Sequence, residues 1–209
     1  MISETYDTVF VHIPKTAGQS IERVFLSKHG LTWDERAPLL LRLNEDRNAG
    51  PRRLAHLFAH EYVACGHVSP ETFARMFRFA VVRNPYDRFM SEYRYRAKPG
   101  RAAINAMLEQ IDGDKYLDEV RHVLPQVEFV RDRDGMVRVP QILRFETLAT
   151  DIRPVFERLF GGDTPLPEVN KSLPLSDEAD MLTPDLRREL YRRYEEDFDT
   201  FGYASGFIR

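Results

Sequence analysis

The chain has 209 residues, 43% hydrophobic and 30% charged, which suits one ordinary globular core rather than a disordered or low-complexity segment. Its net charge of −3 argues against broad charge-driven binding to nucleic acid, so any basic site has to be local. No run reaches the ~18 apolar residues of a membrane span, no basic-then-apolar secretory signal is visible, and the single cysteine, Cys65, leaves no internal disulfide and fits a reducing, cytoplasmic compartment.

Taken in chain order, Tyr6 to Ile13 is apolar enough for a buried parallel strand. It runs into Pro14-Lys15-Thr16-Ala17-Gly18-Gln19-Ser20, and a helix follows from Gly18 to about His29 with Ile21, Val24 and Phe25 on one face. A strand, a turn with a lysine, hydroxyls and a glycine, then a helix is the composition of an anion cradle. The turn and the helix start supply N–H donors and Lys15 adds a point charge, suited to a phosphate-like or sulfate-like group. Residues 31–60 read as a variable, partly looped insertion: Leu39 to Leu43 suits a short helix, and Asn48-Ala49-Gly50-Pro51 interrupts. Tyr62 to Gly66 is expected to be a second strand. Ser69-Pro70-Glu71 carries the cap, proline and acid of a helix start. Arg78 to Arg83 is a third buried strand, and Asn84-Pro85 repeats the cap-then-proline signal for a helix to about Ala97, ended by Lys98-Pro99-Gly100.

Residues 102–124 are expected to be helical, split at Asp112-Gly113, and Gln126 to Val139 to form a ribbon turning at Asp134-Gly135. Gln141 to Phe145 is a further strand. Thr147 to Phe160 is a helix that Pro154 breaks or kinks, residues 161–180 are loop-rich, and Thr183-Pro184 begins a last helix ending near Phe198. Strands alternating with helices imply an α/β fold of three layers with a mainly parallel sheet, here as a single domain over residues 1–209.

In such a sheet ligands bind beyond the carboxyl ends of the strands. Lys15, His67 and Arg83 follow the three expected strand ends, so they are expected on one edge. The strict G-x-x-x-x-G-K-[ST] phosphate loop is absent, and no aspartate closes a buried strand as a magnesium-holding carboxylate would. That favours transfer of a less charged sulfuryl group, with no metal required, over phosphoryl transfer. On the helix after Asn84, positions 84, 87, 88, 91 and 95 share a polar face, from which Ser91 can join Arg83 in gripping one phosphate. A solvated face of an ordinary amphipathic helix is the alternative. His12 reads as structural, since it lies inside a strand. His29, His56 and His122 have no partner visible in the sequence, and no His/Cys spacing suggests zinc.

At these residues the chain resembles the PAPS-dependent sulfotransferases, in the carbohydrate branch that includes the heparan sulfate 2-O and chondroitin/dermatan enzymes. His12 to Ser20 is similar to their 5′-phosphosulfate loop, and Val81 through Ser91 to their 3′-phosphate segment. The likeness continues in Gly66-His67-Val68-Ser69, Leu143 to Leu148, Val169-Asn170-Lys171-Ser172, and Tyr194 to Tyr203. It implies that Lys15 contacts the 5′-phosphosulfate and stabilises the bridging oxygen, and that Thr16, Ala17, Gly18, Gln19 and Ser20 hold the 5′-phosphate. Arg83 and Ser91 would bind the 3′-phosphate, and Lys171 and Ser172 close over the cofactor. It also implies that His67 is the general base, a role helped by the helix start after Ser69, whose dipole disfavours imidazolium. His60 is the weaker candidate. The animal glycan enzymes are membrane-anchored and luminal, whereas neither an anchor nor paired cysteines is seen here, so the resemblance is to a compact, bacterial-type member. The implied acceptor is a hydroxyl of a glycan or glycoconjugate, recognised through residues 31–60 or the basic run Arg94, Arg96, Lys98, Arg101, which otherwise is a solvated helix end. A kinase-like phosphoryl-transfer enzyme and a non-catalytic nucleotide-binding module are the alternatives.

Overall fold

The computed structural model describes residues 1–96, 101–167 and 181–206, with the side chains of residues 101 and 102 left aside. Four strands form one sheet in the order β1 (Ile2–Ser3), β2 (Thr8–Val11), β3 (Phe77–Val82), β4 (Gln141–Arg144). β1 pairs antiparallel to β2, while β2–β3 and β3–β4 are parallel, with Val11 beside Ala80 and Val82 beside Arg144. The parallel registers bring the carboxyl ends of β2, β3 and β4 to one edge.

Alternation along the strands divides the core. Val9, Val11, Ala80 and Val82 face one side, against Leu54, Leu57, Tyr62, Phe73 and Phe129. Phe10, Phe79, Val81 and Leu143 face the other, against Ile21, Val24 and Phe25 of α1 (Gly18–Lys28) and Ile152, Val155 and Phe156 of the helix Leu148–Phe160. Four short helices fill the connections on the way: α2 (Glu61–Ala64), α3 (Pro70–Arg75), α6 (Asp118–Arg121) and α7 (Val127–Val130). α4 (Pro85–Tyr95) and α5 (Arg101–Gln110) lie between β3 and α6, and α8 (Leu148–Phe160) and α9 (Pro184–Phe201) follow β4. A third cluster joins Phe89, Met90 and Tyr93 of α4 to Ile104 and Met107 of α5 and to Leu190 and Phe198 of α9. This is a mixed α/β fold with a mostly parallel central sheet flanked by helices.

Several expectations need correction. Tyr62 to Gly66 is not a strand. The sheet places β3 directly beside β2, so no slot exists for a strand between them. The segment instead forms the single turn α2, whose Glu61 carboxylate accepts from the Phe58 N–H at 2.8 Å and which ends at Gly66 in the left-handed region (φ 74°). Its aromatic and β-branched residues serve burial: Tyr62 is fully enclosed and its hydroxyl donates to the Phe10 carbonyl at 3.2 Å. The ribbon expected over Gln126 to Val139 is helix α7 in its first half, and only the Arg131–Val137 bridge remains of it. The first strand is shorter than Tyr6 to Ile13, and β1 was not foreseen. Pro154 does not break α8, because burial of Ile152, Val155 and Phe156 on either side of it offsets the lost backbone bond, about 3 kcal/mol. Residues 31–60 hold only three single-turn 3-10 helices, Ala37–Leu39, Arg47–Ala49 and Leu54–His56. Lys98-Pro99-Gly100, Lys171 and Ser172 lie outside the described residues.

Candidate active site

The turn after β2 is bent by two non-glycine residues in the left-handed region, Lys15 (φ 71°) and Ala17 (φ 70°). Each such residue costs on the order of 1–3 kcal/mol, a strain that persists only where the surroundings over-determine it. The Thr16 hydroxyl donates to the Ile13 carbonyl at 2.8 Å and closes the turn. α1 then starts without a side-chain cap and without an acid in its first turn. The starts of α3, α4 and α9 are capped by Ser69, Asn84 and Thr183. An uncapped, acid-free helix start presents its dipole and N–H groups to an anion. Gly18 is required for space: a Cβ there would lie 2.0 Å from the His12 ring. That ring is immobilised by its Nδ1, 2.6 Å from Oε1 of the buried Glu22.

Arg83 comes to this turn from the end of β3. Its guanidinium donates to the Lys15 carbonyl at 3.4 Å and lies 4.0 Å from the centre of the Phe145 ring. Its backbone is gripped on both sides by one amide: Arg83 N–H donates to Gln126 Oε1, and Gln126 Nε2 donates to the Arg83 carbonyl, both at 2.8 Å. Asp197 of α9, fully buried, accepts from the Gln126 and Val127 N–H groups at 2.8 Å and so fixes that amide. α9 brings it there past a distortion at Tyr194, whose hydroxyl donates to the Val123 carbonyl at 2.6 Å. Burial pushes the Asp197 carboxyl up to about 6.

One face of α4 follows the turn. Arg88 is 2% exposed and donates to three carbonyls: Pro14 at 3.0 Å, Leu124 at 2.8 Å and His122 at 3.0 Å. It therefore braces the turn and does not belong to a solvated face. Ser91 lies buried one turn further on. Tyr95 is exposed, and the Lys15 ammonium sits 3.9 Å over its ring. Burial lowers the Lys15 pKa to about 8; Glu92 opposes the shift, and Arg83, Arg94 and Arg88 add to it.

Arg83 thus meets the Lys15 turn and the helix start of Gly18 to Ser20 at one corner of the sheet edge, and Ser91 lies buried on α4 between Arg88, which braces that turn, and Tyr95, over which Lys15 sits. His67 is placed differently. It follows α2 rather than a strand end, and its ring donates from Nε2 to the Ala49 carbonyl, 2.8 Å away in the 31–60 segment. Among the described residues no hydrogen bond, ion pair or ring contact joins it to Lys15 or Arg83. That bond fixes a tautomer, because a carbonyl can only accept, so the neutral ring keeps its lone pair on Nδ1. Sequence reasoning missed Glu92, Gln126 and His122, and placed Tyr95 on the polar face of α4 without giving it a role. Glu92 and Tyr95 lie one and two turns along the same helix face as Arg88, which is the pattern that points to them. Gln126 gave no local sign, since its partner is 43 residues away.

A model of the Sulfotransferase family matches residues 1–204. The chain belongs to the sulfotransferase family. Searches of curated proteins and of solved structures each returned no match. Membership fits a sheet edge at which a lysine turn, an uncapped helix start and an arginine meet, and it supports sulfuryl transfer from a sulfate donor to a hydroxyl-bearing acceptor as the general activity. Among the described residues of this sulfotransferase no helix is long and apolar enough to cross a membrane.

Proposed function

We propose that the donor is PAPS and that the enzyme moves its sulfuryl group to a hydroxyl of a carbohydrate acceptor. The observation that carries the reading is the hydrogen bond from the Arg83 guanidinium to the Lys15 carbonyl, which brings two distant strand ends to one corner. In this reading the N–H groups from Thr16 to Ser20 hold the 5′-phosphate, and Lys15 faces the bridging oxygen. Arg83 and Ser91 take the 3′-phosphate, and Lys171 and Ser172 cover the nucleotide. The acceptor oxygen attacks sulfur in line and gives its proton to Nδ1 of His67. The bond from sulfur to the bridging oxygen breaks, and the electron pair stays on the phosphate, where Lys15 stabilises it. The products are a sulfate ester and 3′-phosphoadenosine 5′-phosphate. The exposed Tyr95 ring beside Lys15 is a surface on which a sugar face can stack. With Cys65 as the single cysteine, no internal disulfide can form, and we place the reaction in the cytoplasm.

Incubation with labelled PAPS and a panel of glycans, lipids and small alcohols tests this. Label is expected on a glycan, and His67→Ala should lower the rate by about 10²–10⁴-fold. Magnesium-dependent turnover of ATP would instead support phosphoryl transfer, and donor binding without transfer to any acceptor would support a binding module.

A further inference from the structure

Beneath the Lys15 turn lies a cluster that the donor site does not use. His56, from the 31–60 segment, meets Asp118, the first residue of α6, and His122, which follows that helix. His56 Nδ1 is 2.6 Å from Asp118 Oδ1, and His122 Nε2 is 3.7 Å from Asp118 Oδ2. One ligand atom from each of the three lies within 4.8 Å of the others. The side chains are 7%, 22% and 12% exposed, so the cluster is largely shielded from water.

We propose that His56, Asp118 and His122 bind a divalent transition metal of the zinc type. Two imidazoles and one carboxylate are the donor set such an ion takes, with a fourth position left for water, and imidazole disfavours magnesium and calcium. The surroundings also have the form of an outer shell. Glu92 Oε2 accepts from His122 Nδ1 at 2.7 Å, leaving Nε2 as the lone-pair nitrogen that faces Asp118. Ligating histidines are commonly held by a carboxylate in this way. Arg53 Nε donates to Asp118 Oδ2 at 3.0 Å and orients that carboxylate through one oxygen, leaving the other for the ion. The ion takes the place of the proton between His56 Nδ1 and Asp118 Oδ1, which moves to Nε2 of the same ring, and the pair opens to about 3.3 Å in a tetrahedral sphere. Ring neighbours link the cluster to the turn: the centre of the His56 ring lies 4.8 Å from that of His12 and 5.1 Å from that of His122, and the His122 ring centre lies 5.8 Å from that of Tyr95, over which the Lys15 ammonium sits. The metal therefore ties the 31–60 segment to α6 immediately under the donor turn. The sequence sign was Asp118 and His122 at i and i+4.

This proposal stands apart from sulfuryl transfer and is tested without it. Chelator-stripped protein is titrated with Co²⁺ and followed by its visible absorption, then competed with Zn²⁺. One saturating equivalent is expected, lost in Asp118→Asn and His122→Ala and weakened about ten- to a hundred-fold in Glu92→Gln. Anomalous scattering from crystals of the unaltered protein soaked in Zn²⁺ covers the case in which variants unfold. A peak among the three side chains supports the site. No saturable Co²⁺ binding, binding unchanged by the variants, or a peak elsewhere overturns it.

Discussion

Gly18 is the tightest point of the donor turn. A methyl group there meets the His12 ring at 2.0 Å, and Glu22 holds that ring by its other nitrogen, so it cannot swing aside. Gly18→Ala is expected to destabilise the fold by about 1–3 kcal/mol, the range for overpacking. Chemical denaturation measures it, and the double variant Gly18→Ala/His12→Ala should recover part of the loss; a neutral single variant would contradict the packing account. Lys15 gives a pH signature. Its folded pKa of about 8 lies below the usual lysine value of 10.5, so between about 8 and 10.5 the unfolded chain binds more protons. The Lys15 contribution to stability therefore rises with pH across that window. Activity runs the other way, because the charged amine is needed. kcat/KM, which reports the free enzyme, should fall as pH rises through about 8. A flat kcat/KM profile from pH 7 to 9 would argue that Lys15 carries no charge-dependent role.

At the scale of elements, α9 governs the end of β3 through a relay: Asp197 holds Gln126, and Gln126 holds both sides of the Arg83 backbone. Gln126→Ala is expected to weaken binding of 3′-phosphoadenosine 5′-phosphate by roughly 5- to 30-fold, since one or two neutral hydrogen bonds of about 1 kcal/mol each are lost. Calorimetry checks this. Asp197→Ala should cost more in stability, about 2–4 kcal/mol, because two backbone N–H groups and the Gln126 amide lose a buried acceptor. If Asp197→Ala left both stability and affinity unchanged, the relay would be wrong. What was legible in the sequence divides along the same line. The Lys15 turn, the Asn84-Pro85 start and the Ser69 cap announce themselves by local chemistry, and each lies where expected. Tyr62 to Gly66 misled because aromatic and β-branched residues suit a buried turn as well as a strand, and only the adjacency of β2 and β3 decides between them. The bonds of His12 to Glu22, His56 to Asp118 and His122 to Glu92 span 10, 62 and 30 residues and are set by tertiary folding; of the partners of these histidines, only Asp118, at i−4 from His122, has a local sign.

For the molecule as a whole, the parallel order β2-β3-β4 is what turns separate motifs into a site. It sets residues 68 positions apart, Lys15 and Arg83, in contact at one edge, while α4 and α9 stiffen that edge from outside. Of the three residues expected at this edge, Arg83 reaches the Lys15 turn, its guanidinium donating to the Lys15 backbone carbonyl. His67 is held instead against the 31–60 segment, so that segment bears on both the proposed base and, through His56, the cluster under the turn. The claim on which the account turns is that this corner selects a doubly phosphorylated adenosine. Thermal unfolding with 3′-phosphoadenosine 5′-phosphate and with ADP tests it most directly. At a hundred times its Kd the former should add about 2.7 kcal/mol, a rise of roughly 5–10 °C, and the rise should fall sharply in Arg83→Ala and Ser91→Ala. ADP, which lacks the 3′-phosphate, should give much the smaller shift, whereas equal shifts from both nucleotides, insensitive to Arg83 and Ser91, would contradict the account.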